Sequence, residues 1–331
     1  MFIGAAYGCD VRSRWAVSEQ YVSMDRTKRR TLGIFAAMVP YLWLSSCAWN
    51  KAFLHPDVIP ATAEKGQSID PTTKDTIVLH FSLPDRRPSF TDKQGRSLPM
   101  PFRIESAWFG DPDTSLYGWM LKDTTGIPAT STILFLHGNG GNLLTEYPVM
   151  LPFVQEGSQV FVFDYSGYGS SKGKATRKHV HEDAIAALEY LRTRPDVQGT
   201  KVVVYGQSLG GHTAALLAGD RPALCDAVVI EGGFGSFREI AKRSVRLGSI
   251  AKLLVSEGPS ASEAIAHYNG PLLVVHSTED EVVPIDLGRD LFNAGNGPKE
   301  WLEIQGPHCA GPFLQAEVLA DRIRRMLSVK D

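Results

Sequence analysis

The chemistry-bearing segment of this 331-residue sequence is Gly206-Gln207-Ser208-Leu209-Gly210, set between a β-branched apolar run at 201–205 and an Ala/Leu-rich stretch at 209–217. A strand that ends in a tight turn and re-enters as a helix exposes the serine hydroxyl at the carboxyl edge of a sheet, and the flanking glycines let the backbone approach without clash. A serine hydroxyl is a weak nucleophile at neutral pH. Ser208 therefore needs a base within reach, an acid to orient that base, and two N–H groups aimed at the developing negative charge. Leu209, directly after the serine, is expected to supply one of those donors. Of nine histidines, His308 in Gly306-Pro307-His308-Cys309 is the candidate base. His137 and His276 end apolar runs, His212 caps the elbow, and His179 and His181 lie two apart on a helix, facing different ways, so structural roles are expected for these five. Asp280 is the expected acid, because it follows the run 271–276 and falls between Ser208 and His308 in the chain. Glu231, at the end of the run 227–230, is its rival, while Glu279 and Glu281 are expected to be solvated.

The elements that must position these groups follow from periodicity. Strand-like runs occur at 76–83, 102–109, 116–121, 131–136, 159–163, 201–205, 227–230, 271–276 and 301–304. Several are continuous Val/Ile/Leu/Phe runs, the mark of strands buried on both faces of a parallel sheet with helical crossovers. The clearest helix covers 177–193, where Ala184, Ile185, Ala187, Leu188 and Leu191 share one side and Pro195 lies beyond the end. Others are expected at 143–155, 209–217, 286–292 and 313–327. The first three strand runs have links too brief for helices, so the sheet should begin with antiparallel strands. The expected class is α/β, one mostly parallel doubly wound sheet with helices on both faces.

Three further segments carry a family resemblance. Leu136-His137-Gly138-Asn139-Gly140-Gly141-Asn142, Asp164-Tyr165-Ser166-Gly167-Tyr168-Gly169 and Asp280-Glu281-Val282-Val283-Pro284, together with the elbow at Ser208, resemble the HGNxGN, DYRGYG and DxxVP loops of the α/β-hydrolase superfamily, closest to its Bem46/ABHD13-like serine hydrolases. The resemblance runs from about Phe102 to the C-terminus. It implies an α/β-hydrolase fold with a Ser208, Asp280, His308 triad, the histidine carried on a loop that folds back over the nucleophile. It also implies Asn139 as the second oxyanion N–H donor beside Leu209. The family's variable insertion falls at 234–268, and a short helical cap is expected there, its apolar residues Phe237, Ile240, Leu247, Ile250, Leu253 and Leu254 either covering the nucleophile or packing onto the sheet.

The expected reaction is hydrolysis of a carboxylic ester or thioester through an acyl-enzyme, on a small-molecule or lipid-like acyl substrate. A serine peptidase or amidase, and a non-catalytic surface-binding lipoprotein, are the alternatives. A net charge of -2 with no long single-sign run offers no footprint for nucleic acid. The four scattered cysteines form no zinc-like spacing, and neither metal nor cofactor is expected. A hydrophobic fraction of 43% suits a globular domain, expected to be a monomer.

Upstream, Met24 opens a basic stretch followed by the apolar run 31–44, the layout of a secretory signal. The run is shorter than the roughly 20 residues of a membrane span. At its end Leu44-Ser45-Ser46-Cys47 resembles the bacterial lipobox, which implies acylation of Cys47, and Ala48 resembles the second residue of lipoproteins sent to the outer membrane. The expected organisation is a leader at 1–23 that is unstructured or not native, a lipoprotein signal at 24–46, a tether at 47–75 and the hydrolase domain at 76–331. The expected location is the bacterial cell envelope, held at the membrane by the lipid anchor.

Overall fold

The computed structural model describes residues 53–70, 73–244, 255 and 258–328. The expected leader, the signal segment, Cys47 and residues 245–254 of the expected cap lie outside the described residues.

In chain order the strands are β1 (His55–Pro56), β2 (Lys65–Ile69), β3 (Thr76–Ser82), β4 (Arg87–Thr91), β5 (Phe102–Phe109), β6 (Leu116–Asp123), β7 (Ser131–Leu136), β8 (Gly140–Gly141), β9 (Ser158–Phe163), β10 (Lys201–Gln207), β11 (Ala227–Glu231), β12 (Leu272–Ser277) and β13 (Lys299–Ile304). The helices are α1 (Leu143–Gln155), α2 (Arg177–Thr193), α3 (Leu209–Asp220), α4 (Phe237–Ser244), α5 (Ala261–Ile265), α6 (Ile285–Ala294), α7 (Gly311–Leu314) and α8 (Ala316–Ser328). Eight strands form the central sheet in the order β13-β12-β11-β10-β7-β9-β6-β5. The six strands from β13 to β9 run parallel, and β6 and β5 are antiparallel.

Alternate residues of each buried strand feed two separate cores. Leu134, Phe161, Val202, Val204, Val228 and Val274 pack with α2, α3 and α6 on one face. Ile133, Phe135, Val203, Tyr205, Val229 and Val275 pack with α1 and α8 on the other. This two-sided burial is why the strands read as continuous apolar runs.

Three expectations are corrected. The run 76–83 is not an edge of the central sheet: β3 sits between β2 and β4 in a separate three-stranded antiparallel sheet, with Ile77, Leu79 and Phe81 turned toward α1. Its alternating burial, apolar in and polar out, is that of a sheet with one covered face. Within the span expected as a tether, β1 pairs with β8, and β2 pairs with β3. Pro and Thr content there marked irregular backbone, but not the hydrogen bonds that it makes. The expected helix at 313–327 is broken into α7 and α8 at Gln315.

The sheet and α3 meet at glycines. A Cβ on Gly210 would overlap the carbonyl oxygen of Leu136, the last residue of β7, and one on Gly206 would overlap the carbonyl oxygen of Gly210. Both obstacles are backbone and cannot rotate away. Gly210→Ala should therefore destabilise the domain by about 3 kcal/mol or more, or prevent folding, because overpacking against fixed backbone exceeds the ordinary cost of a point change. Urea unfolding followed by circular dichroism, compared with Gly199→Ala, where a Cβ would meet nothing within 4 Å, measures this.

Candidate active site

Ser208 stands between β10 and α3 with φ 55° and ψ -115°. A non-glycine residue at positive φ is strained, and such residues collect at functional sites where surrounding structure holds them. The restraints here are the glycine contacts and a hydrogen bond from the Ser208 N–H to the Glu231 carbonyl, 2.9 Å. Leu209 follows as the first residue of α3, so its N–H is one of the helix's unsatisfied leading donors. Gly138 borders the serine, its Cβ position 3.8 Å from the Ser208 Cβ, which puts the 138–140 loop beside Ser208.

His308 and Asp280 come together as expected. His308 Nδ1 lies 2.6 Å from Asp280 Oδ2, and the carboxylate side chain is only 1% exposed. Its Oδ1 accepts from the Val282 and Val283 N–H groups at 2.9 and 2.8 Å. Burial alone would raise this carboxyl, but hydrogen bonds from His276 and His308 and from the Val283 N–H outweigh it and hold Asp280 well below the usual carboxylate range. A proton on Nδ1 facing that carboxylate leaves Nε2 with a free lone pair, the tautomer a general base needs. Nε2 lies 3.4 Å from the Cys309 thiol, which also borders the Ser208 N–H. Among the described residues no hydrogen bond joins Ser208 Oγ to His308 Nε2.

Among the described residues no hydrogen bond joins Glu231 to the imidazole, although the two interact electrostatically. Glu231 is fully buried, with Oε2 accepting from the Tyr205 hydroxyl at 2.8 Å and Gln207 Nε2 at 2.7 Å, and Oε1 accepting from the Gly311 N–H at 2.7 Å. Gln207 also donates to the Cys309 carbonyl at 3.1 Å. Glu231 thus ties the strand before Ser208 to the loop carrying His308. Glu279, expected to be solvated, is exposed but accepts from the Gly306 N–H at 3.0 Å, and Ser277 Oγ donates to the Gly306 carbonyl. Tyr205, Gln207, His276 and Cys309 gave no signal in the sequence, since no spacing rule links residues that meet only through the fold.

The remaining histidines hold structure together. His137 and His212 are completely buried, which lowers both to about 4, and they bond the Gly138 and Phe234 carbonyls. His179 bonds the Lys174 carbonyl and His181 faces Asp220. In the cap, Phe237 and Ile240 are buried in the core, Phe237 against His212, Phe234 and Phe53, so the described part of α4 packs onto the domain. Among the described residues no cluster of side chains suits a metal ion, and no helix is long and apolar enough to cross a membrane.

Residues 131–247 match the family model for the alpha/beta hydrolase fold. The YfhR protein of Escherichia coli O157:H7 is 34% identical over 217 residues, covering 63% of this chain and 75% of that protein. The chain belongs to the α/β-hydrolase superfamily. The alpha/beta hydrolase domain-containing protein WAV2 of Arabidopsis thaliana is 31% identical over 194 residues, 54% of this chain and 63% of that protein. Among solved structures the Pyrococcus furiosus esterase Pf2001 superposes with a TM-score of 0.57 at 18% identity, over 68% of this chain and 91% of its own. Est1E from Butyrivibrio proteoclasticus, with ferulic acid bound, does so with a TM-score of 0.57 at 17% identity, over 67% of this chain and 100% of its own.

The two described cysteines lie in environments hostile to a thiolate. Burial pushes Cys225 up to about 12, and burial with the neighbouring Glu231 and Asp280 carboxylates pushes Cys309 far above its usual range. Native protein treated with iodoacetamide at about pH 8 should leave both unmodified, whereas unfolded protein reacts at both, because the thiolate is the reacting form. Peptide mass spectrometry reads the outcome, and rapid native labelling of the half-buried Cys309 would contradict the upward shift of its thiol.

Proposed function

We propose that this protein is a serine hydrolase of carboxylic esters or thioesters, of the Bem46/ABHD13-like kind. Ser208 is its nucleophile, His308 its general base and Asp280 the acid that orients and stabilises the imidazole. The observation that carries the reading is the 2.6 Å contact between buried Asp280 and His308 Nδ1, in the loop bordering a serine at φ 55°.

Ser208 Oγ attacks the acyl carbon as His308 Nε2 removes the hydroxyl proton, and the carbonyl electron pair moves onto oxygen. The N–H groups of Leu209 and Asn139 receive that oxyanion. Collapse expels the alcohol or thiol, which takes the proton from His308, and leaves an ester on Ser208. Water, deprotonated by the same nitrogen, then attacks the acyl carbon, and collapse breaks the bond to Ser208 Oγ, which takes the proton back from His308 as the carboxylic acid leaves. Asp280 stays ionised throughout, as its hydrogen bonds require, and pairs with the imidazolium formed in each half-reaction.

Ser208→Ala should abolish both p-nitrophenyl ester hydrolysis and fluorophosphonate labelling, a loss of around a millionfold in turnover. Asp280→Asn should cost on the order of 10⁴-fold, and Glu231→Gln considerably less, since Glu231 positions a loop rather than the imidazole. A more damaging Glu231→Gln in a protein still folded by circular dichroism would exchange the two roles. Labelling that persists in Ser208→Ala would sink the nucleophile assignment.

We also propose that Cys47 is acylated and becomes the mature N-terminus, which places the enzyme at the bacterial cell envelope, in the outer membrane given Ala48. Two or more acyl chains anchor stably where one does not. Cys47→Ser should release the protein into the soluble fraction and remove incorporation of a fatty-acid analogue. A wild-type protein that takes up no label and stays soluble would exclude the anchor.

A further inference from the structure

The loop 138–141 holds three glycines, at 138, 140 and 141, and Gly141 has φ 74°. Glycine confers little preference on the peptides it joins. The Asn139 N–H assigned to the oxyanion shares its peptide with the Gly138 carbonyl, which His137 Nδ1 holds at 2.9 Å, and rotation of the following peptide, which carries the Asn139 carbonyl, would turn the residue and redirect that donor. Something outside the loop must therefore fix its orientation.

Two donors converge on the Asn139 carbonyl: the backbone N–H of His55 at 2.8 Å and the hydroxyl of Tyr168 at 2.9 Å. His55 belongs to an exposed segment that contributes backbone bonds rather than buried side chains. Past Leu54, which is buried in the core, residues 55–58 are exposed. Yet the Asp57 N–H donates to the Gly141 carbonyl at 3.3 Å, and Asn142 Nδ2 donates to Asp57 Oδ2 at 3.0 Å. The Gly169 N–H donates to the Asp57 carbonyl at 2.9 Å, and the Ile59 N–H to the Gly169 carbonyl at 2.7 Å. The segment laces the 139–142 loop to the 167–169 loop that carries Tyr168. At its other end Phe53 meets Phe237 of α4 edge-on at 5.1 Å, with the Arg177 guanidinium over both rings.

We propose that residues 54–59 and Tyr168 act together as a strap that fixes the Asn139 carbonyl and so, with the Gly138 carbonyl held by His137, keeps the Asn139 N–H in its working orientation. His55, through its backbone N–H, and Tyr168, through its hydroxyl, are positioning residues. The inference rests on the ester-hydrolase reading. It makes a segment far upstream of residues 131–247, the part matching the family model, a working part of the site. A loop held this way affects the transition state, where the oxyanion exists, more than substrate binding.

The test uses the full-length protein with a p-nitrophenyl ester and a boronic acid as tetrahedral mimic. Tyr168→Phe removes one donor, and His55→Pro removes the other, since proline has no N–H. Each should lower kcat by about tenfold with KM within about threefold of wild type. The double variant should lose about a hundredfold or more in kcat, the scale of losing one oxyanion donor, with a parallel loss of boronic acid affinity. Should His55→Pro fail to fold, Tyr168→Phe decides alone by the same kcat-against-KM criterion. A kcat loss below about threefold in the decisive variant, or a loss carried by KM, overturns the strap while Ser208→Ala is inactive. Undiminished activity in Ser208→Ala would instead overturn the hydrolase reading and the strap with it.

Discussion

The close approach of α3 to the carboxyl ends of β7 and β10 is the constraint on which the site depends. It exists only because Gly206 and Gly210 lack side chains, and it forces the chain at Ser208 into a turn with positive φ. The strain is local, while the apolar strands and helices around it supply the energy that holds it, as is usual where functional geometry departs from the backbone's own preference. From that turn the helix leads away with its first N–H groups directed back toward the serine.

Two buried carboxylates divide the labour around this turn. Asp280 takes its donors from the imidazole and its own loop, and its charge is held by those bonds. Glu231 takes donors from β10 and from the start of α7, so the same chemical group serves as a splint between the serine's strand and the histidine's loop. Burying a carboxylate is costly unless every lone pair finds a donor, and both are well supplied here. The difference in role follows from where the donors come from, and with it a difference in charge: hydrogen bonds hold Asp280 below the usual carboxylate range, whereas burial outweighs them at Glu231 and pushes its carboxyl up.

Much of this was legible in the sequence. The two-sided apolar runs gave the strands of the central sheet from Phe102 onward, and helical periodicity placed Leu143–Gln155 and Arg177–Thr193 to the residue. Ser208 was visible because strand, turn and helix are contiguous. Asp280 and His308 lie 28 residues apart, and their pairing rested on chain order and loop resemblance until the fold brought them within 2.6 Å. The splint at Glu231 and the lacing by residues 55–59 were not legible. The splint is built mostly from side chains that meet only through the fold, and the lacing mostly from backbone groups, which every residue possesses and no pattern advertises. The short β1 strand, with exposed side chains and a proline, looked like a tether for the same reason.

The division of each strand between two cores has a consequence for how this chain can change. Val203, Tyr205 and Gln207 point to the face of α1 and α8, in step with Val229 and Glu231 on the neighbouring strand, while Val202, Val204 and Gly206 point to the face of α3. Inserting or deleting one residue within β10 would send every one of these side chains to the opposite face. Valines would exchange partners tolerably, but Gly206 would trade places with Tyr205 or Gln207, and the elbow and the Glu231 splint would vanish together. A residue added instead in the turns near 126–130 or 195–200, which lead into β7 and β10, would leave the alternation within every strand unchanged. There a hollow of about 680 Å³, lined by Ile127, Pro128, Pro195 and Gly199 among others, leaves room for the chain to lengthen without shifting the parity of any strand.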